Sequence, residues 1–343
     1  MKLSFRKGNT AADREIDKLI SLVGGIDHPG IIREMIVAAL KAGQEQASME
    51  DLRLMNYTMK EMRFTAKIFG PYKKVRKVTV FGSARTKSDE LIYDIAREFG
   101  RRLAAAGFMV ITGAGGGIMQ AANEGAGPEH SFGVNITLPF EQSPNPVLAG
   151  NPRLINYRYF FNRKVAFVKE CDAVALFPGG FGTLDEAMEV LTLLQNGKHS
   201  PIPLLLIDEP GGTYWLRWEK LLKHELLPEG YINESDFFLF ELVDSVEEAV
   251  EKTSRFYRRY HSLRYVGGKL VLRLSLPLEE HHVDKMRIGF KDILSPGGEM
   301  LLSPALSEES DEPGIGDLQR LVVDFNRKDF GRLRKLIDEV NII

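Results

Sequence analysis

The 343-residue chain has a single cysteine, Cys171, which excludes an intrachain disulfide and leaves no set of thiols for a structural zinc site. Cys171 stands between Glu170 and Asp172 at the head of an apolar run. It reads as packing rather than as a nucleophile, because neighbouring carboxylates raise a thiol's pKa. Charge of one sign is equally scarce: 45 basic and 47 acidic residues leave a formal net charge of -2. The broad positive field of a non-specific nucleic-acid binder is therefore missing, and no nucleic-acid partner is expected. No apolar run approaches the roughly 20 residues of a membrane span. The opening MKLSFRKGNTAADREID holds no apolar stretch of signal-peptide length, so a cytoplasmic protein with no membrane partner is expected. What is present, 44% hydrophobic and 27% charged residues, suffices for one large core or two modest ones.

The patterning changes twice along the chain. Residues 1–72 read as a helical N-terminal extension, with helical periodicity over Asp13–Val23, Gly30–Leu40 and Met49–Phe69 and a stop at Gly70-Pro71. Residues 73–262 alternate apolar strands with amphipathic helices. Strands are expected at Val78–Phe81, Phe108–Thr112, Phe132–Leu138, Ala173–Phe177 and Ile202–Ile207, with helices near 88–106, 117–126, 157–170, 184–196, 213–227 and 245–261. Right-handed crossovers make this an α/β fold with a doubly wound, Rossmann-like parallel sheet. Residues 263–343 read as a small α+β C-terminal appendage, with strands over Leu270–Leu278 and Leu321–Phe325 and a helix over Asp329–Val340.

Three of the expected strands end in turns without bulk: VFGSAR at 80–85, ITGAGGGIMQ at 111–120 and FPGGFGTLDE at 177–186. In a parallel sheet these ends share one edge, the edge at which ligands bind. Any one such turn can serve only chain reversal, but three together also fit an anion held by backbone N–H groups and helix N-termini. A dinucleotide fingerprint fails because Ile118 occupies the place of its third glycine, and a P-loop fails because no lysine follows Gly179–Thr183. An anion of monophosphate size remains. A helix terminus contributes only about 0.3–2 kcal/mol to a nearby charge, whereas micromolar affinity needs about 8 kcal/mol. Charged side chains must therefore supply much of the rest.

Two charged residues stand close to these turns. Arg163 lies in the apolar segment YFFNRKVAFV, where a guanidinium that cannot lose its charge needs a carboxylate or a phosphate. A structural ion pair and a ligand contact both satisfy that need. Glu186 also has two readings. TLDE fits a capping box with Thr183 as N-cap, as SVEE does at Ser245–Glu248 where no glycine loop precedes it. Behind the PGG turn, however, Glu186 lies within a helical turn of the expected anion, where a catalytic carboxylate would stand.

PGGFGTLDE resembles the PGGxGTxxE motif of the Lonely Guy family, the cytokinin riboside 5'-monophosphate phosphoribohydrolases once labelled possible lysine decarboxylases. Arg163-Lys164 stands where that family carries its arginine, and GAGGGIMQAANEGA is similar to its second glycine turn. NITLPFEQSPNP and YRYFFNRK resemble its larger bacterial branch, and the likeness spans about residues 75–260. It implies hydrolysis of a nucleoside 5'-monophosphate, AMP or an N6-modified AMP, to free base and ribose 5-phosphate. By motif, Arg163 and Glu186 become the catalytic pair, and Gly179, Gly180, Gly182 and Thr183 the phosphate loop. Gly82, Ser83, Gly115, Gly116, Gly117, Met119 and Lys164 complete the expected substrate-binding set. No metal or organic cofactor is expected, and the resemblance implies a homodimer or a higher homo-oligomer. Two alternatives stay open: a non-catalytic nucleotide sensor in which Glu186 only caps, and a pyridoxal-phosphate decarboxylase, for which Lys164 would have to form the Schiff base.

Two further signals weigh little. His281 and His282 are sequence neighbours that point apart in a strand or a helix start, with no second cluster to complete a metal site. RFYRRYHSLRY mixes arginine with aromatics as nucleic-acid binders do, but a basic helix end answering its own dipole accounts for it.

Overall fold

The N-terminal periodicities fold as three helices, α1 (Thr10–Val23), α2 (Pro29–Gln44) and α3 (Met49–Phe69). Pro29 opens α2 at the position where a missing N–H costs nothing. Ile16 and Ile20 of α1 bury against Val37 of α2, and Arg33 of α2 pairs with Asp13 and Asp17 of α1. The structure is a computed structural model that describes residues 10–45, 47–137 and 143–343. It divides into two compact units, Met1–Phe64 and Thr65–Ile343. The division falls inside α3 rather than at residue 72, and the second unit is not divided again near 262.

Within the second unit, the apolar runs form a sheet of seven parallel strands among the described residues. They are β1 (Lys77–Phe81), β2 (Met109–Thr112), β3 (Ser131–Ile136), β4 (Leu154–Tyr157), β5 (Ala173–Leu176), β6 (Leu204–Ile207) and β7 (Glu241–Val243). Every residue of β1, β2, β3, β5 and β6 is buried, as expected of strands covered on both faces. The helices of this unit are α4 (Leu91–Ala105), α5 (Ile118–Ala126), α6 (Phe160–Lys169), α7 (Phe181–Gln195), α8 (Tyr214–Leu221) and α9 (Val246–Arg255). On one face Val78, Val80, Val110 and Ala175 pack beneath Phe99 and Leu103 of α4, Ala121 of α5 and Ala249 of α9. On the other, Phe81 meets the Phe167 ring of α6 edge-on at 4.8 Å, and the Thr79 hydroxyl donates to the Phe167 carbonyl. The doubly wound fold expected from the sequence is the one observed.

The strand order is β4-β3-β2-β1-β5-β6-β7. The winding reverses between β1 and β5, where Val78 pairs with Ala173 on one side and Val110 on the other. This reversal opens the crevice in which such sheets bind ligands. Two edge strands were not expected. Four-residue β4 aligns Leu154 with Gly133 of β3, and three-residue β7 aligns Glu241 with Leu205 of β6. LINY carries a polar Asn156 and ELV opens on Glu241, so neither is the continuous apolar run that marks β5 and β6. Part of the expected end of β3, and of the NITLPFEQSPNP segment, lies outside the described residues.

The C-terminal part forms an antiparallel sheet in the order β10-β11-β9-β8, from β8 (Tyr260–Val266), β9 (Lys269–Leu274), β10 (Met300–Ser303) and β11 (Gln319–Val323). Helices α10 (Glu280–Gly289) and α11 (Phe330–Ile342) cover one face, and Leu272, Leu321, Val283 and Leu336 are buried in the core between. The helix expected to reach residue 261 stops at Arg255. The following Tyr/His/Arg stretch instead becomes β8, joined to β9 through Gly267 and Gly268, both at positive φ as a two-residue hairpin turn requires. Just before β8, Tyr257 and Arg259 are engaged within the fold: Arg76 stacks 3.5 Å from the Tyr257 ring centroid, and the Arg259 guanidinium donates to the Leu276 carbonyl. Buried Arg334 of α11 donates to the Glu241 carboxylate of β7 and the Ile202 carbonyl, tying this sheet's helix to the α/β layer. Cys171 is buried, its thiol pushed up to about 12 by burial. Among the described residues, no helix is long and apolar enough to cross a membrane.

Candidate active site

The walls of the crevice are the loops that leave β1, β2 and β5, and backbone bonds stitch them together. Phe177 N donates to the Phe81 carbonyl at 2.9 Å, Ser83 N to Pro178 at 3.0 Å, and Ile118 N to Ser83 at 3.0 Å. Such approach needs residues without side chains at two points. A Cβ at Gly117, whose φ is +60°, would stand 2.2 Å from the Ser83 carbonyl oxygen, and one at Gly179 would stand 2.2 Å from the Thr183 hydroxyl. Ala114 also adopts positive φ, at 61°, held by the bond from its N–H to the Thr112 hydroxyl and by Asn145 N donating to its carbonyl. Asn145 Nδ2 further donates to Gly115 O, so Asn145 in the NITLPFEQSPNP stretch braces the second glycine turn.

Helix α7 begins at Phe181 with Gly180 as its N-cap, three residues earlier than a capping box at Thr183 requires. Thr183 is thus the third helical residue, and Glu186 lies in the second turn, beyond reach of the helix start. The capping reading of Glu186 therefore fails, while Ser245 does cap α9, accepting from Glu248 N at 3.3 Å. The N–H groups of the first turn of α7 remain available to an anion.

A cavity of about 630 Å³ occupies the crevice. Arg163, Glu186, Gly82, Ser83, Met119, Gly180, Gly182 and Thr183 all line it. Gly115, Gly116, Gly117 and Gly179 are not among its lining residues, and stand in the turns that shape it. Lys164 does not line it either. Its ammonium bridges Asp185 at 2.9 Å and Glu189 at 2.7 Å, clamping α6 to α7, and these partners raise its pKa. A Schiff-base lysine must be a neutral amine, so this geometry withholds from Lys164 the role a decarboxylase would need. Arg85, Gly113, Phe167 and Phe181 line the cavity without having been singled out from the sequence. The signal available for Arg85 was its place two residues beyond Ser83.

The electrostatics of the two central side chains are unusual. Glu186 is only 3% exposed, and its Oε2 has no hydrogen-bond partner among the described residues. Burial pushes its pKa up to about 7, with Lys164 and Arg163 holding it from rising further. Arg163 lies 4.7 Å from the Phe160 ring and 5.6 Å from the Phe167 ring, its buried Nε also without a partner among those residues. Burial lowers its pKa, and Glu186 opposes that shift. A cation and a carboxyl with unused hydrogen-bonding capacity thus border one cavity, an arrangement that costs stability unless a ligand completes it.

Residues 116–253 match the family model described as "Possible lysine decarboxylase". A probable cytokinin riboside 5'-monophosphate phosphoribohydrolase of Oryza sativa subsp. japonica is 29% identical over 53% of this chain and 74% of its own length. A cytokinin riboside 5'-monophosphate phosphoribohydrolase of Arabidopsis thaliana is likewise 29% identical, over 53% of this chain and 84% of its own. The α/β domain is similar in sequence to the Lonely Guy family. Another such enzyme from rice is 32% identical over 39% of this chain and 57% of its own. The family-model match begins in the second glycine turn and ends in α9, so it includes the PGG turn, Arg163 and Glu186. The solved molybdenum cofactor binding protein of Rippkaea orientalis aligns with 52% of this chain and 93% of its own, at 20% identity and a TM-score of 0.36.

Proposed function

We propose that the protein hydrolyses the N-glycosidic bond of a nucleoside 5'-monophosphate, AMP or an N6-modified AMP, releasing the base and ribose 5-phosphate. The observation that carries this reading is Glu186: a buried carboxyl with an unpartnered oxygen, bordering the same cavity as Arg163 and one turn from the open N-terminus of α7. In this reading the phosphate accepts from the N–H groups of Gly180–Thr183, which delivers the ribose to the Arg163 and Glu186 pair. As the bond between C1' and the base nitrogen breaks, its electron pair leaves with the base and positive charge develops on the sugar ring. Ionised Glu186 stabilises that charge and takes a proton from the water whose hydroxyl bonds to C1'. The departing base receives that proton, so atoms and charge balance. Arg163 orients the ribose hydroxyls and favours the ionised carboxylate.

Incubating the protein with AMP should release adenine and ribose 5-phosphate in equal amounts. Glu186→Gln should lower kcat by about 10²–10⁴, the range for loss of a general base. Failure of every 5'-monophosphate tested to turn over, with the ligands still binding, would refute hydrolysis in favour of a nucleotide sensor.

A further inference from the structure

The cavity's described lining contains three ionisable side chains, Arg85, Arg163 and Glu186, and they lie in unlike surroundings. Arg163 is packed against Phe160 and Phe167 with Glu186 as its electrostatic neighbour, so its charge is tied to the buried carboxyl. Arg85 is exposed and makes no ion pair with any described residue; its own backbone N–H is taken by the Ser83 hydroxyl at 3.1 Å. That hydroxyl belongs to the residue whose N–H is bonded to Pro178, the residue that opens the PGG turn. The root of the Arg85 side chain is thereby fixed against the loop that starts α7, and the residue lines the cavity.

We infer that Arg85 is the specificity-determining residue that provides the counter-charge for the substrate's phosphate, so that the site selects phosphorylated nucleosides over free ones. The inference rests on the proposed reading of the cavity as a nucleotide site. A helix end alone leaves a phosphate dianion far short of micromolar binding. A guanidinium offers two parallel N–H donors to phosphate oxygens, a geometry that a lysine ammonium cannot reproduce. The two cations then divide the ligand: Arg85 and the first turn of α7 take the phosphate, and Arg163 with Glu186 takes the ribose.

Calorimetric titration of the full chain with ribose 5-phosphate, and separately with ribose, tests this. Arg85→Ala should weaken ribose 5-phosphate binding by about 10- to 100-fold, the scale of one hydrogen-bonded charge, and leave ribose binding unchanged. Arg85→Lys should recover part of that loss, and the salt dependence of binding should be shallower in Arg85→Ala than in the wild type. The residue's exposure predicts an unchanged melting temperature, which separates a binding effect from misfolding. Equal affinities of wild type and Arg85→Ala for ribose 5-phosphate would overturn the assignment, as would parallel losses for ribose. If AMP is cleaved and its KM does not move in Arg85→Ala, Arg85 is excluded while hydrolysis stands. If AMP is not cleaved but Arg85→Ala alone loses ribose 5-phosphate, hydrolysis is excluded while the phosphate contact stands.

Discussion

Glu186→Gln separates a catalytic carboxyl from a structural one through stability as well as rate. The Glu186 pKa climbs from an ordinary 4.5 to about 7 on folding. A carboxyl raised in this way binds its proton more tightly in the folded state. It costs nothing below pH 4.5, becomes a growing liability as pH rises through the window to 7, and holds a constant cost above. At about 1.4 kcal/mol per pH unit across that window, the full cost is about 3 kcal/mol. Glutamine carries no charge at any pH and escapes it. The Glu186→Gln protein should therefore match wild type within about 1 kcal/mol at pH 5 and exceed it by about 2–3 kcal/mol at pH 8. In melting temperature this is a gain on the order of 5 °C, read by differential scanning fluorimetry across a pH series in one buffer system. Wild-type kcat/KM should rise through pH 7 as the carboxyl ionises, and the variant should keep only a small, flat residue of activity. A variant less stable than wild type at pH 8 would refute the assignment of Glu186 as a strained, unpartnered acid, because a side chain that caps or pairs loses stability when replaced.

Two other outcomes follow from the same geometry. The Tyr214 hydroxyl donates to the Gly179 carbonyl at 2.7 Å; since C=O and N–H point in opposite directions across a trans peptide, this bond turns Gly180 N–H away from Tyr214. Tyr214→Phe should raise the KM for AMP about fivefold, the worth of one neutral hydrogen bond, with kcat little changed; an unchanged KM would show that the loop holds itself. Arg334→Ala removes a 2%-exposed cation from Glu241, Asp338 and the Ile202 carbonyl and should cost about 3–5 kcal/mol in urea unfolding, whereas a loss under 1 kcal/mol would mean that α11 is held by apolar packing alone.

Much of the candidate site was legible because its parts are local. Glycines at strand ends, the PGG turn and a charged pair inside an apolar helix are patterns of a few adjacent residues, each with a physical need that its neighbours state. The places where the geometry departs from the local pattern share a different origin. Thr183 satisfies the capping pattern, but its N-cap role depends on where α7 begins, and the backbone contact between the PGG turn and Ser83 accompanies a start at Phe181. Lys164 sits beside Arg163 in the chain, yet one turns to the cavity and the other to Asp185 and Glu189 across a helix pair. Arg85 carries only its place two residues beyond Ser83 as a local mark, since its meaning comes from the strand that lies alongside.

Hydrophobic alternation and turn chemistry in the sequence determined that the middle of the chain forms a doubly wound parallel sheet, and that its glycine turns share an edge. Tertiary structure alone decided that β1 lies against β5, that the described edge strands β4 and β7 extend the sheet, and that the C-terminal sheet joins the same compact unit. It also decided the chemistry of Glu186. A carboxyl's pKa is set by the solvent it loses and the charges it gains, and those come from residues brought near by strand order, not from its neighbours along the chain.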